Sequence, residues 1–251
     1  MTRLQLSALL LCLIVLSGCA AGGGFDTGKA LSIGAGALQA SLLDEASVQQ
    51  AATLSAQEMD SQNQVAPAAN PHTRRLMQIT SGLANYDGLN LNFKVYLSDT
   101  VNAFAMADGT VRVYSGLLEL MPDDQVLAVI GHEIGHVKLK HSYRQMREVL
   151  ITNVAFDAAG AVSETIGALT SSQLGALGKT AISAHFSQGD ELEADAYAVR
   201  ALKQMGKDPY AMQRSIETLQ QQGGSGGGFL SSHPSNQDRI KKIKAEIEKL
   251  N

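Results

Sequence analysis

The stretch that decides the fold lies near the middle of the chain and reads Ala128-Val129-Ile130-Gly131-His132-Glu133-Ile134-Gly135-His136-Val137. Its apolar residues recur every three or four positions, which is the period of an α-helix that packs one face against a core. Pro122 followed by two aspartates predicts where this helix starts, because acidic side chains stabilise the positive end of a helix dipole. We expect the helix to continue to about His141, with His132 and His136 one turn apart on the same face.

A β region precedes this helix. Alternating apolar and polar residues predict a half-buried strand over 91–98, with Tyr96 on the outward face and an inward face formed by Leu91, Phe93, Val95 and Leu97. Val101–Met106 and Val111–Tyr114 predict two more strands. Asp108-Gly109 predicts a hairpin turn between those two strands.

Helical patterns dominate the rest of the chain. Besides the central helix they cover 29–62 with a break near Leu43-Asp44, 71–84, most of 145–182, 189–205, 209–222 and the residues after 236. The glycines of 223–228 predict a loop before the last helix. We therefore expect an α+β fold that is mostly helical and carries a small three-stranded β-sheet.

The N-terminus has the features of an export signal. Arg3 is followed by an apolar stretch, Leu4–Leu16, which has the length of a signal core and is too short to cross a bilayer comfortably. Leu16-Ser17-Gly18-Cys19 resembles the bacterial lipobox, in which the cysteine sulfur receives a diacylglyceryl group and the chain is cut just before it. An ordinary secretory signal that ends in cysteine is the alternative. The expected organisation is a signal peptide at 1–18, a flexible tether at 19–28 and a single domain at 29–251.

Composition excludes several classes of protein. Of the 251 residues, 45% are hydrophobic and 18% are charged, which is typical of a globular chain and not of a disordered one. The net charge of −4 gives no sign of the basic surface that nucleic-acid binding requires, so we predict no nucleic-acid partner. The two cysteines allow at most one disulfide. The apolar stretch 149–177 is interrupted by Asp157 and Glu164, which argues against a membrane hairpin.

The central helix carries the spacing of a metal site. Zinc readily accepts neutral imidazole nitrogen, and the rings of His132 and His136 point to one spot. Glu133 can reach a water bound to the metal. A catalytic zinc needs a third protein ligand, and the limited supply includes Glu191 and Asp195, which share one face of a later helix. Taken alone that second pair is weak evidence, because acidic helix faces are usually just solvated.

Together these motifs carry a family resemblance. The chain is similar to the zincin peptidases that include the CAAX prenyl protease and the heat-shock peptidase HtpX, through His132-Glu133-Ile134-Gly135-His136, Glu191-Leu192-Glu193-Ala194-Asp195, Asn102-Ala103-Phe104-Ala105 and Ser232-His233-Pro234. The resemblance spans essentially the whole chain after the signal and implies a zincin-type peptidase domain. It implies one zinc ion per chain, with ligands at His132, His136 and Glu191. It also implies that Glu133 is the catalytic base.

Further residues receive narrower roles. Asp195, one turn beyond Glu191, could accept the free N–H of a ligand histidine and fix its tautomer. The strand that contains Asn102, Ala103, Phe104 and Ala105 could bind a substrate as an added strand. By resemblance, His233 lies near the metal, where it either stabilises the oxyanion as a catalytic residue or caps the open zinc position. Arg239 is either a partner there or an exposed cation.

The remaining histidines are not predicted as ligands. His141 lies five residues after His136, which is about 140° round a continuous helix. His72 follows a proline near a helix start and is expected at the surface. His185 offers no ligand geometry.

These observations predict a lipid-anchored zinc endopeptidase of the bacterial envelope. Ala20 after the modified cysteine favours the outer membrane, by resemblance to bacterial sorting, with the domain facing the periplasm. The expected partners are polypeptide substrates, the membrane through the lipid on Cys19, and the outer-membrane protein assembly machinery. The main alternative is an outer-membrane chaperone or assembly factor whose zinc site is latent. A hydrolase of the cell wall is a third class, although the His132–His136 motif favours peptide substrates.

Overall fold

A computed structural model describes residues 43–155, 161–222, 228–234 and 237–250. The predictions for the signal peptide, for Cys19, for the tether and for the helix before Leu43 lie outside the described residues. Within those residues, the structure has no helix of sufficient length and apolar character to span a membrane.

The sheet has three strands in the described part of the chain. They are β1 Asn92–Tyr96, β2 Ala103–Ala105 and β3 Thr110–Tyr114, arranged in the order β1-β3-β2. β1 pairs with β3 in parallel, and β2 pairs with β3 antiparallel through the predicted hairpin. Gly109 has φ +87°, and a Cβ at that position would lie 2.0 Å from the Asn90 carbonyl oxygen, so the turn requires glycine.

Helices make up most of the described residues. They are α1 Glu45–Gln62, α2 Pro71–Ile79, α3 Ser115–Leu120, α4 Asp123–Lys138, α5 His141–Asn153, α6 Val162–Gly167, α7 Ser171–Ser183, α8 Gln188–Gln204, α9 Tyr210–Gln221, α10 Phe229–Ser232 and α11 Gln237–Lys249. The predicted mostly helical α+β class is confirmed. The helix expected over 71–84 ends early, because the chain leaves the helical conformation at Thr80 and turns at Gly82, which adopts φ +84°.

The two faces of the sheet contact different hydrophobic clusters. Val95, Val111 and Val113 face a cluster that includes α4, α8, α9 and α11. The other face meets α1, α5 and α7 around Tyr96 and Phe104. The outward placement predicted for Tyr96 is wrong: its ring is 1% exposed, because α1 covers that face and Asp60 of α1 accepts the hydrogen bond of the Tyr96 hydroxyl.

Helices α4 and α8 pack closely against each other. A Cβ at Gly135 would lie 3.1 Å from the Ala194 Cα, and one at Gly131 would lie 3.5 Å from the Ala198 Cβ. Small residues on both helices therefore let the two backbones pack closely. This packing places the histidines of α4 opposite the acidic residues of α8.

Candidate metal centre

His132 and His136 project from the buried face of α4. Two aspartates occupy the first turn of this helix, and every residue from Val126 to Val137 is buried. Both histidines are completely buried, and their Nε2 atoms lie 3.0 Å apart. The helical spacing predicted from the sequence therefore brings both rings to one point.

Glu191 faces these rings from the first turns of α8. The helix begins with a capping box, in which Ser187 and Asp190 bond reciprocally. Glu191 Oε1 lies 3.3 Å from His136 Nε2, and Oε2 lies 3.6 Å from His132 Nε2. The side chain is buried as completely as the histidines.

His233 completes the group from the segment that follows α10. Its Nδ1 lies 2.9 Å from Glu191 Oε1 and 3.3 Å from His132 Nε2. The ring stacks on Phe229, and the Phe229 N–H donates to the carbonyl of Val101, just before β2. His132, His136, Glu191 and His233 each offer one ligand atom, and these atoms all lie within 4.8 Å of one another.

The donor atoms fit a metal ion. The ring of His132 donates Nδ1–H to the Asp195 carboxylate at 2.8 Å, so the neutral ring presents the lone pair of Nε2 to the group. Glu191 Oε2 has no hydrogen-bond partner within the described residues, although it is buried. Zinc bonds of 2.0–2.1 Å in a tetrahedron separate ligand atoms by about 3.3 Å, which is the scale of these contacts. Imidazole nitrogen and carboxylate oxygen are the ligand types that zinc takes.

Asp195 and Arg239 support the group from behind. Arg239 donates from Nε and Nη2 to the two carboxylate oxygens of Asp195, at 2.8 and 2.7 Å. Its Nη1 lies 2.7 Å from Glu191 Oε2. The two groups form an ion pair, but the angles do not meet those of a hydrogen bond. Burial raises the pKa of Asp195, but the charge and hydrogen bonds of Arg239 outweigh burial and hold that pKa below its usual range. The sequence left open whether Arg239 is a partner of the site or an exposed cation. In the structure it is fully buried and contacts the site.

Glu133 lies beside the group without joining it. Its carboxylate is buried, and Oε1 lies 3.5 Å from His233 Nε2 and has no hydrogen-bond partner within the described residues. Burial raises the pKa of Glu133, and the positive charge of His233 only partly offsets this. A buried carboxylate whose pKa is raised is suited to accept and return a proton.

An apolar cavity opens next to Glu133. It is small, about 20 Å³, and its walls include Phe104, Met106, Met146 and Phe186. Ala103, Phe104 and Ala105 form β2, and Asn102 directly precedes it. Within the described residues, β2 pairs only with β3 and is therefore an edge strand. Its residues Phe104 and Ala105 line the cavity.

Sequence reasoning missed two side chains that contact the group. The ring of Phe186 stacks on His136 with 3.8 Å between centroids. His141 Nδ1 lies 3.0 Å from His136 Nδ1, because α4 ends at Lys138 and the chain turns back before α5. No local sequence signal marks either contact. His72 and His185 do not join the group: His72 pairs with Glu119, and His185 lines an outer groove.

A His-Glu-x-x-His helix with an acidic residue opposite it, buried around one point, defines a metallopeptidase centre of the zincin type. Comparison with protein families makes this specific: the chain belongs to peptidase family M48, whose model matches residues 67–247. The zincin resemblance inferred from the motifs is thereby confirmed at the level of the family, and the chain is a metallopeptidase.

Curated relatives agree with this assignment. The metalloprotease LoiP of Escherichia coli (strain K12) is 41% identical over 232 residues, which cover 92% of this chain and 91% of LoiP. The metalloprotease YcaL of the same strain is 39% identical over 235 residues, or 93% of this chain and 92% of YcaL. The beta-barrel assembly-enhancing protease of that strain is 30% identical over 160 residues, which cover 59% of this chain and 33% of the relative.

Proposed function

We propose that this protein is a lipid-anchored, zinc-dependent endopeptidase of the bacterial envelope that degrades unfolded or misassembled envelope proteins. The observation that carries the proposal is the buried group of His132, His136 and Glu191 with the Glu133 carboxylate beside it. Within family M48, we also propose that the chain is related to the CAAX prenyl protease and HtpX. The shared sequence motifs support this closer relationship.

His132, His136 and Glu191 would hold the zinc ion through two imidazole nitrogens and one carboxylate. A bound zinc ion supplies an activated water and polarises the scissile carbonyl. Glu133 would take the proton of that water and pass it to the leaving amine, for which its burial and raised pKa are suited. Asp195 and Arg239 keep His132 in the tautomer that leaves Nε2 free.

The edge of β2 would hold the substrate. An extended peptide could add to Ala103–Ala105 through backbone hydrogen bonds, which do not depend on side-chain identity. Its chain would then pass the cavity beside Glu133. Binding through the backbone suits an enzyme that accepts many unfolded polypeptides.

His233 has two candidate roles at this site. Its Nδ1 belongs to the set of atoms that could hold the metal, which supports the role of a cap on the open position. Its Nε2 faces Glu133, which is compatible with a donor to the developing oxyanion. Both roles remain proposals, and they predict opposite effects of removing the ring.

Anchoring at the outer membrane is the other part of the proposal. It rests on the lipobox-like Leu16-Ser17-Gly18-Cys19 and on Ala20. The name of one relative refers to β-barrel assembly, which supports the outer-membrane assembly machinery as a partner. We expect Cys19→Ser to abolish labelling by palmitate and retention in the membrane, whereas Cys12→Ser should change neither. Fractionation of the Cys19 variant with the outer membrane, with no label in the wild type, would contradict the anchor.

The proposed enzymatic function is tested by metal analysis of a soluble form that lacks residues 1–19. We expect about one zinc ion per chain, and casein cleavage that a chelator abolishes and added zinc restores. Stoichiometric zinc without cleavage would favour the chaperone with a latent site. Release of soluble fragments from purified murein, with casein intact, would favour a cell-wall hydrolase.

A further inference from the structure

The two α4 histidines that face the metal position are supported differently on their outer sides. Nδ1 of His132 bonds to the carboxylate of Asp195, which the fully buried Arg239 clamps. Among the described residues, Nδ1 of His136 has no carboxylate partner and instead lies 3.0 Å from Nδ1 of His141. Such an imidazole pair requires one nitrogen to donate and the other to accept.

The proposed role of His136 Nε2 as a metal ligand decides which nitrogen of the pair donates. Nε2 of His136 faces His132 Nε2 at 3.0 Å and Glu191 Oε1 at 3.3 Å, so this nitrogen must carry a lone pair if it is to bind a metal. The proton of the neutral ring then lies on Nδ1, and Nδ1–H donates to His141. His141 must accept through Nδ1 and carry its own proton on Nε2.

The surroundings of His141 agree with that tautomer. Its Nε2 lies 3.2 Å from Glu193 Oε2 and 3.4 Å from Asp190 Oδ1, and both carboxylates are acceptors. Asp190 is in turn paired with Arg144, which keeps it in place. The resulting chain of hydrogen bonds runs from His136 through His141 to Glu193, and Asp190 lies close to the same nitrogen as a second negative charge.

A local break in the helix makes this contact possible. Lys140 adopts the left-handed conformation with φ +60°, which is uncommon for a residue other than glycine. The turn ends α4 and returns His141 towards the preceding helix, where its side chain is fully buried. On a continuous helix the same ring would lie about 140° away from His136.

We propose that His141 is a positioning residue for His136: it accepts the Nδ1 proton of that ring and so fixes Nε2 as the nitrogen that faces the metal. This inference rests on the proposed metal centre. Partners that hold a ligand histidine in this way typically contribute about 10- to 100-fold to metal affinity. Glu193 contributes less than His141, because its side chain is 65% exposed and Asp190 can accept the same proton.

Two substitutions separate positioning from packing. His141→Leu fills similar space but leaves the Nδ1–H of His136 without an acceptor. His141→Asn places an amide oxygen near the former Nδ1 and can accept that proton. We expect the leucine variant of the full-length protein to bind Zn²⁺ about 10- to 100-fold more weakly in chelator competition, and the asparagine variant to recover most of the loss. His72→Leu, on the surface of α2, is the matched control and should bind as the wild type does.

The outcomes distinguish this inference from the proposed function. Wild-type protein that binds no metal would overturn the metal centre itself. If the wild type binds zinc and the leucine variant binds it equally tightly, only the role of His141 is overturned. Equal losses of zinc affinity in the leucine and asparagine variants would overturn that role as well. Nitrogen-15 spectra of the zinc-loaded wild type give a direct measure: we expect His141 protonated on Nε2, and protonation on Nδ1 would contradict the proposal. These spectra decide the question even if the leucine variant does not fold.

Discussion

Glu191 and Glu193 stand two residues apart on α8, yet their side chains have different surroundings. Glu191 is buried within the group of candidate ligands, whereas Glu193 is mostly exposed and contacts His141. We expect Glu191→Ala to lower zinc affinity by more than the roughly 10- to 100-fold typical of a residue that only supports a ligand, since it removes a proposed ligand. Glu193→Ala should change affinity little. Zinc content measured after dialysis checks both, and the reverse pattern would mean that the register of the motif is misassigned.

Arg239 offers a second test at the residue scale. It neutralises two buried carboxylates, those of Asp195 and Glu191, and removing one partner of a buried ion pair typically costs about 3–5 kcal/mol. We expect Arg239→Met to lower the free energy of unfolding by about that amount in urea titrations of the metal-free protein. Arg200→Met is the matched control, because Arg200 is 43% exposed in its pair with Glu246, and it should cost under about 1 kcal/mol. Equal effects of the two substitutions would contradict the assigned role of Arg239.

At the scale of elements, Asp60 joins α1 to the sheet. Its carboxylate accepts hydrogen bonds from Arg112 of β3 and from Lys94 and Tyr96 of β1. Burial alone would raise the pKa of Asp60, but these donors lower it from 3.8 to about 2. A carboxyl group whose pKa is depressed in the folded state stabilises the fold above its unfolded pKa and loses that contribution as the pH falls.

The shift gives a prediction with a defined pH window. Between pH 5 and pH 2 the contribution of Asp60 should disappear, which amounts to about 2 kcal/mol from the shift of the pKa. The difference in unfolding free energy between the wild type and Asp60→Asn should therefore shrink by about that amount over this range. If the difference in unfolding free energy stays constant with pH, the contribution of Asp60 to stability does not depend on its charge.

Much of the secondary structure could be predicted because local rules set it. The period of α4, the acidic first turn and the spacing of His132 and His136 are all local properties of the sequence. Helix α8 ends at Gln204, close to the predicted end at residue 205, and Gly206 just beyond it adopts φ +68°. The prediction that α4 continues to His141 is wrong, because Lys140 adopts a left-handed conformation that its residue type does not signal.

At the scale of the whole molecule, the supporting contacts could not be predicted from local patterns. Arg239 meets Asp195 across 44 residues of sequence, and the N–H of Phe186 bonds to the carbonyl of Ser232 at 3.4 Å. Such contacts depend on how α8, α10 and α11 pack, and no periodicity along the chain encodes that packing. Sequence reasoning therefore reached the candidate ligands but left the role of Arg239 open.

The segment that carries His233 links the site to the edge strand. Phe229 bonds to Val101 just before β2, and His233 lies 2.9 Å from Glu191. If His233 caps the open metal position, His233→Ala should raise basal cleavage of casein. If it donates to the oxyanion, the same change should lower the rate by about 10²–10³-fold. A rate within about twofold of the wild type would remove His233 from both roles.

The central claim is that Glu133 moves the proton at a zinc centre held by its neighbours, and one comparison tests it most directly. Glu133→Gln keeps the size of the side chain but cannot accept the proton. We expect this variant to retain about one zinc ion per chain and to cleave casein about 10²–10⁴-fold more slowly than the wild type, measured on the same preparations. Cleavage at the wild-type rate with zinc bound would contradict the account.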